Sequence, residues 1–227
     1  MSADEARDCL AAYDQWAATY DSIDNPLVAM AASTLERRAS WFASARVLEL
    51  GCGTGRNAHA CLAWGARSYT GVDGSPGMLA EARRRVSGPV TWIEGELTGS
   101  FEGSFDVVLI SLVLEHVRDV EPVIAAAARA LAPAGRLVIL ELHPELHARG
   151  VGANFRTADG EIRLPSFRHD ATELRAACAR ASLEVVEEIQ HVPDDAALAR
   201  SQKLRRYEGR EVLLEVVSAR RGSPRGR

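Results

Sequence analysis

Three glycines on alternate positions, directly behind a short apolar run, constrain this chain more than any other feature. The stretch reads Val47-Leu48-Glu49-Leu50-Gly51-Cys52-Gly53-Thr54-Gly55-Arg56-Asn57. Val47 to Leu50 suits a short buried strand. Only glycine tolerates the positive φ and near-contact backbone that such a turn demands. A helical stretch over residues 57–64 is expected next, so its free N–H groups face whatever the turn holds. Eighteen residues after Gly55, a second strand-like run over residues 68–72 ends in Asp73. An acid at the tip of the second strand of a βαβ unit is placed to accept hydrogen bonds from two ribose hydroxyls. The unit reads as an adenosine-binding half-site.

The spacing selects among adenosine ligands. Dinucleotide folds use G-x-G-x-x-G, whose third glycine lets a helix approach a pyrophosphate. Here the pattern is G-x-G-x-G, preceded by Glu49. A carboxylate pointing into the turn would repel a pyrophosphate and suit a ligand carrying an ammonium or sulfonium. Glu49-Leu50-Gly51-Cys52-Gly53-Thr54-Gly55 resembles the first motif of the class I methyltransferases that use S-adenosylmethionine. Gly71-Val72-Asp73-Gly74-Ser75-Pro76-Gly77-Met78-Leu79 is similar to the family's second motif. Ser104 to Val108, followed by Leu112-Val113-Leu114-Glu115-His116-Val117, is similar to the fourth motif of its small-molecule members. Leu131 to Leu137 resembles the turn into strand five, and Tyr13 to Asp21 the family's N-terminal lid, Y-D-x-x-A-x-x-Y-D. Glu96 stands where the family usually has an aspartate at the adenine amine, and is one methylene longer.

Strand-like and helix-like runs alternate along most of the chain, which implies an α/β doubly wound sheet with right-handed crossovers. Amphipathic helices are expected over 3–18 and 27–43, and Ser75-Pro76 is a cap followed by proline at the first helical position. Strands are expected at 90–93, 105–110 and 136–142, with an alanine-rich helix over 120–131 and a further helix over 171–181. Two last strands, 183–189 and 211–218, close the pattern. The resemblance implies a Rossmann-like sheet of seven strands with the last antiparallel. The expected organisation is one methyltransferase domain over 1–219, with residues 1–44 a helical lid and 143–168 a substrate-side insertion that is a loop or short hairpin. Residues 220–227, basic and rich in Gly and Pro, are expected to be a disordered tail.

Composition excludes several partners. With a net charge of −4, the chain of 227 residues has no broad field to attract nucleic acid. Its 47% apolar content is enough for a full core. The four cysteines, Cys9, Cys52, Cys61 and Cys178, lack CxxC spacing, which opposes a zinc site or disulfide framework and fits a reducing compartment. The N-terminus has no apolar h-region and no run of 18 apolar residues occurs, so a soluble, cytoplasmic protein without membrane partners is expected. Oligomeric state stays open, a homodimer among the options.

The expected cofactor is S-adenosylmethionine and the expected partner a small-molecule acceptor, methylated at O, N or C. Methyl transfer needs mainly alignment of nucleophile, methyl and sulfur, so a general base is optional. Glu49, Asp73, Glu96, Ser111 and His143 fall at strand ends, where open α/β sheets bind ligands. The expected cofactor set is Tyr13, Tyr20, Glu49, Gly51, Gly53, Gly55, Asn57, Asp73, Gly74, Met78, Glu96, Leu97, Ser111, Leu112 and His116. Tyr13, Trp16 and Tyr20 also suit a helical stripe docking on the sheet. His143 and His169 are the first choices for a general base, with His116 behind them near the sulfonium. A metal is not expected: His143 and His147 would need a helical stretch to converge, and Pro144 and Gly150 oppose a long one. The competing functions are a non-methylating reaction on the same cofactor and a non-catalytic binding module. A nicotinamide dehydrogenase is opposed by Glu49 and by the glycine spacing.

Overall fold

The computed structural model describes residues 3–101, 103–157 and 160–220. In chain order the elements are α1 (Ala3–Trp16), α2 (Pro26–Arg37), β1 (Arg46–Leu50), α3 (Arg56–Ala63), β2 (Ser68–Asp73), α4 (Pro76–Arg85), β3 (Val90–Glu94), β4 (Phe105–Ser111), α5 (Glu121–Ala130) and β5 (Leu131–Leu142). Then follow α6 (Pro144–Ala148), β6 (Asn154–Thr157), β7 (Gly160–Arg163), α7 (Ala171–Arg180), β8 (Leu183–His191), α8 (Asp195–Arg200) and β9 (Leu213–Arg220). The main sheet runs β3-β2-β1-β4-β5-β9-β8. Strands β1 to β5 pair in parallel, and β9 lies antiparallel to both β5 and β8. This is the Rossmann-like sheet with its last strand antiparallel that the resemblance implies.

Side-chain parity builds the layers. Val47, Val107, Leu109, Val138 and Leu140 point to one face and meet Met30, Leu35 and Phe42 from α2 and its following turn. Leu48, Val108, Ile110, Leu137 and Ile139 point to the other and meet Ile124 and Ala127 of α5 and Leu174 of α7. Strands buried on both faces need no polar alternation, which explains the apolar runs. A third cluster joins α1 to the β6–β7 hairpin through Cys9, Ala12, Trp16, Phe155 and Leu164. Helix starts follow their caps: Asn25 accepts from Leu27 N and Val28 N, Ser75 from Met78 N, and Asp170 from Glu173 N.

Several boundaries differ from those expected. Helix α1 ends at Trp16, and α2 ends at Arg37 with a separate 3₁₀ turn over Ala39–Trp41. Strand β5 starts at Leu131 rather than Arg136, because Leu131 already pairs with Phe105 across a bulge. Helix α8 and the 3₁₀ turn Gln202–Tyr207 fill a connection that had no expected element. The tail expected from 220 loses its first residue: Arg220 belongs to β9, and its guanidinium donates to Ala128 O and Leu131 O at the end of α5. Residues 221–227 lie outside the described residues. Among the described residues no helix is long and apolar enough to cross a membrane.

Helix α2 is fastened to the antiparallel end of the sheet by charge. Glu215, 1% exposed, accepts from Arg38 Nε at 3.0 Å and His191 Nε2 at 2.7 Å. Arg37 Nη2 donates to His191 Nδ1 at 3.2 Å, which fixes the tautomer that gives Nε2 its proton. Burial alone would raise the Glu215 carboxyl, but the bonds from His191 and Arg38 outweigh it and hold it below its ordinary 4.5. A depressed carboxylate adds stability above its unfolded pKa and loses it as pH falls through the folded value. Glu215→Gln should therefore cost about 1.5–3 kcal/mol near neutral pH. In urea titrations repeated in acid, the gap to the parent should narrow below pH 4.5; a constant gap would disprove the ionic origin.

Candidate functional site

The turn after β1 takes left-handed backbone at Gly51 (φ +80°), Gly53 (+51°) and Gly55 (+74°). A Cβ on Gly51 would stand 2.6 Å from Val113 Cγ2, and one on Gly55 would stand 2.7 Å from Trp92 Cη2. Gly53 meets nothing within 4 Å, so its bare face opens on empty space. Backbone N–H groups of Gly51 and Cys52 donate to Val72 O, tying the turn to β2. Asp73 completes the tie, its Oδ2 accepting from Gly53 N at 2.7 Å and its Oδ1 from Ser75 N at 2.9 Å. Burial raises the Asp73 carboxyl, and those two N–H donors oppose the rise.

These groups line a cleft of about 560 Å³ at the carboxyl ends of β1, β2 and β4. It takes in every expected cofactor residue except Gly55: Tyr13 and Tyr20, Glu49, Gly51, Gly53 and Asn57, Asp73, Gly74 and Met78, Glu96 and Leu97, and Ser111, Leu112 and His116. Gly55 instead begins α3 and faces a separate hollow beside His59 and Arg85. Glu49 is 1% exposed and is held by Asn57 Nδ2 at 2.7 Å and by the Tyr69 hydroxyl. Burial pushes its carboxyl up to about 8, against the opposing bond from Asn57. Glu96 is solvent-facing and accepts from Thr98 Oγ1 at 3.2 Å.

The far wall is polar at one point. His116, on the 3₁₀ turn Leu114–His116, faces Pro165 O through Nδ1 at 2.8 Å. A carbonyl only accepts, so Nδ1 carries the proton and Nε2 accepts from the Tyr13 hydroxyl at 2.7 Å. Burial raises the Tyr13 phenol well above 10. Tyr13 and Tyr20 edge the cleft while Trp16 behind them stacks on Phe155 at 4.7 Å, so the aromatic stripe serves both core and cleft.

The other two histidines lie elsewhere. His143 is 4% exposed and off the cleft lining. Its Nδ1 caps α6 by accepting from Glu145 N, so Nε2 carries the proton and donates to the Gln190 amide oxygen at 3.0 Å. Its position beside β9, where its N–H bonds Val212 O, turns a strand-end residue into a buried joint. His169 is 3% exposed, with Nε2 donating to Leu114 O (3.1 Å) and Val117 O (2.8 Å) and Nδ1 facing Glu173. A ring nitrogen whose proton is committed to two carbonyls is no base. Neither of the two lines the cleft, and of the three imidazoles His116 is the one that does. Among the described residues no three His, Cys, Asp or Glu side chains gather as metal ligands.

Sequence reasoning missed Glu141, Asp14 and Arg56. Glu141 accepts from Leu114 N at 2.8 Å and Leu142 N at 2.9 Å, supporting the His116 turn from below. Burial, with the charge of Glu115 adding to it, pushes its carboxyl up to about 8. Arg56 lines the cleft and pairs with Asp21 at 2.8 Å. Both aspartates stand in the Tyr13–Asp21 lid motif, a signal that was available.

Residues 48–139 match the model of a family described as a methyltransferase domain. The demethylmenaquinone methyltransferase of Clavibacter sepedonicus is 29% identical over 234 residues, 96% of this chain and 91% of that protein. That of Tropheryma whipplei strain Twist is 38% identical over 107 residues, 45% of this chain and 44% of that protein. The chain thus spans less than half the length of that relative and of its counterpart in strain TW08/27. A solved structure described as the DhpI–SAH complex superposes with a TM-score of 0.72 at 23% identity, covering 99% of this chain and 100% of the other. That likeness is one of fold.

Glu49 supplies a test that needs no ligand. A carboxyl raised from 4.5 to about 8 keeps its stabilising neutral form at low pH and loses it as pH rises through 8. The unliganded protein should melt progressively earlier as pH rises from 4.5 to about 8 and level off above that, and Glu49→Gln, always neutral, should flatten that decline. Parallel melting curves for parent and variant would show that Glu49 is ionised throughout.

Proposed function

We propose that this chain, which carries a methyltransferase domain of the class I fold, moves the methyl group of S-adenosylmethionine onto a nucleophile of a small, largely apolar acceptor. One observation carries the reading: Glu49, Asp73, the bare face of Gly53 and the Tyr13–His116 pair converge on a single cleft at the strand ends. The cradle fits the cofactor. Gly53 leaves room for a ligand against the turn, Asp73 offers carboxylate lone pairs to ribose hydroxyls, and Glu49, neutral in the unliganded protein, offers a carboxyl that an incoming ammonium would draw to its ionised form. Glu96 and Leu97 border the adenine end, and Tyr13 and Tyr20 the methionine end. When bound, S-adenosylmethionine supplies an activated methyl on a sulfonium.

The chain then has three tasks. It orients the two reactants, which supplies most of the barrier reduction in an in-line displacement. It keeps water out with the aromatic wall and the apolar side chains Leu10, Val28, Ala31 and Val113. It takes the acceptor's proton at His116 Nε2, whose tautomer Pro165 O fixes and whose present partner is the Tyr13 hydroxyl. The reading needs neither nucleic acid nor membrane, and every group named belongs to one chain, so a second copy is not required. Four free, buried cysteines support a reducing compartment, and we place the reaction in the cytoplasm.

The test is incubation with methyl-labelled S-adenosylmethionine and metabolite extracts, followed by mass spectrometry. S-adenosylhomocysteine and a labelled product should appear together. Tight cofactor binding with no S-adenosylhomocysteine in any extract would instead favour a binding module or a non-methylating enzyme. Asp73→Ala should weaken cofactor binding by about 1.5–3 kcal/mol in calorimetry. His116→Gln should lower turnover by about 10²–10⁴ with cofactor affinity little changed. Full turnover in that variant would leave alignment as the whole mechanism.

A further inference from the structure

Two glycines of the β2–α4 junction have no backbone reason to be glycine. Neither Gly74 nor Gly77 has a left-handed φ. What they lack room for is a neighbour: a Cβ on Gly74 would stand 2.9 Å from Leu10 Cδ2, and one on Gly77 would stand 2.9 Å from Asp14 Oδ1 and 3.1 Å from Asp14 Cα. Helix α1 therefore lies in near contact with the backbone that follows Asp73. Asp14 fastens it there, Oδ1 accepting from Gly77 N at 2.8 Å and from Ser75 Oγ at 2.5 Å. Its charge sits at the N-terminal end of α4, where the helix dipole favours an anion. Cys9, Leu10 and Tyr13 on the same helix line the cleft, and Leu10 remains 39% exposed although it is a large apolar side chain.

We propose that Asp14 is a clamp that sets how long the cofactor stays bound, by holding α1 across the ribose end of the cleft. The proposal rests on the S-adenosylmethionine reading above. A nucleoside whose ribose reaches Asp73 lies beneath Leu10, so it leaves only when α1 lifts from Gly74 and Gly77. Lifting breaks both bonds to Asp14. The clamp acts from outside the cleft, since Asp14 itself is exposed and absent from its lining. It is also separate from the Tyr13–His116 bond, which holds the same helix at its other side.

The experiment is stopped-flow dissociation of S-adenosylhomocysteine, with hydrogen exchange of α1 alongside. Asp14→Ala should release the ligand about tenfold faster, the worth of one charge-assisted hydrogen bond. The amides of residues 10–16 should exchange faster in parallel. Asp14→Asn keeps an oxygen for the Gly77 N–H and should fall between. Gly77→Ala reaches the same end by another route: it leaves Asp14 in place, improves the helix propensity of α4, and pushes α1 away with its methyl group. It decides the matter should Asp14→Ala fail to fold. Unchanged dissociation in the folded variants, or faster dissociation without faster exchange of α1, overturns the clamp. A parent protein that binds neither S-adenosylmethionine nor S-adenosylhomocysteine overturns the cofactor reading instead.

Discussion

Everything at the cleft depends on how the left-handed turn after β1 is wedged. Glycine supplies the φ values, but freedom alone would make a floppy loop. Packing removes the freedom. Val113 from the β4 exit presses on Gly51, and the Trp92 indole of β3 reaches across β2 to Gly55. That reach is possible because Gly71, between them, has no side chain: a Cβ there would lie 2.6 Å from Trp92 Cζ3 and 2.7 Å from Cys52 Sγ. Asp73 fixes the remaining point through Gly53 N. The turn is held from both sides and from behind, and Gly53 leaves it open toward the cleft. A site fixed in this way spends little of its binding energy on ordering itself.

The 3₁₀ turn Leu114–His116 plays the matching part at the far wall of the cleft. Tyr13 reaches His116 from the lid, and the Glu115 carboxylate takes Ala153 N at 3.2 Å and Ser166 Oγ at 3.0 Å from the insertion. Phe167 N bonds Glu115 O at 2.6 Å, His169 grips the turn's carbonyls, and Glu141 receives Leu114 N. Buried polar groups destabilise a fold unless satisfied, and a network of them defines one arrangement. Here the satisfied network joins α1, the segment after α6 and the end of β5, so the two walls of the cleft share one support.

The sequence made one half of this legible and hid the other. Val47 to Leu50, the glycines and Asp73 follow each other within 27 residues, and each carries its meaning locally. Alternation and resemblance also implied a doubly wound sheet of seven strands with the last antiparallel, though not the order of the strands. The surroundings of His143 and His169 were not legible because an imidazole's role is set by its neighbours, and Gln190 and Leu114 lie 47 and 55 positions away. Glu141 sat unnoticed at the end of an apolar strand. Asp14 and Asp21 were visible in the lid motif, yet their partners, Gly77 N and the Arg56 guanidinium, were not. Helix α8 escaped because six residues, Asp195-Ala-Ala-Leu-Ala-Arg200, hold too short a period to stand out.

Leu112 is illegible for a different reason. Its φ of +55° lies in the left-handed region, where a branched apolar side chain is among the least expected. The strain costs about 1–2 kcal/mol. The β1 and β4 exits thus solve one geometric problem in opposite ways. At the β1 exit a Cβ would strike Val113 at Gly51 and Trp92 at Gly55 and would enter the open space beside Gly53, so glycine stands there and the conformation costs little. At the β4 exit the backbone must turn equally sharply, with Leu112 N reaching Leu140 O at 2.8 Å, but a side chain is needed. Leu112 lines the cleft and packs against the α2 face of the core. Full burial of a leucine contributes about 1.5–3 kcal/mol, and Leu112, partly buried, recovers a share of that against the strain. The strained residue persists because its side chain forms part of the cleft wall, and glycine, though relaxed there, would leave that wall open.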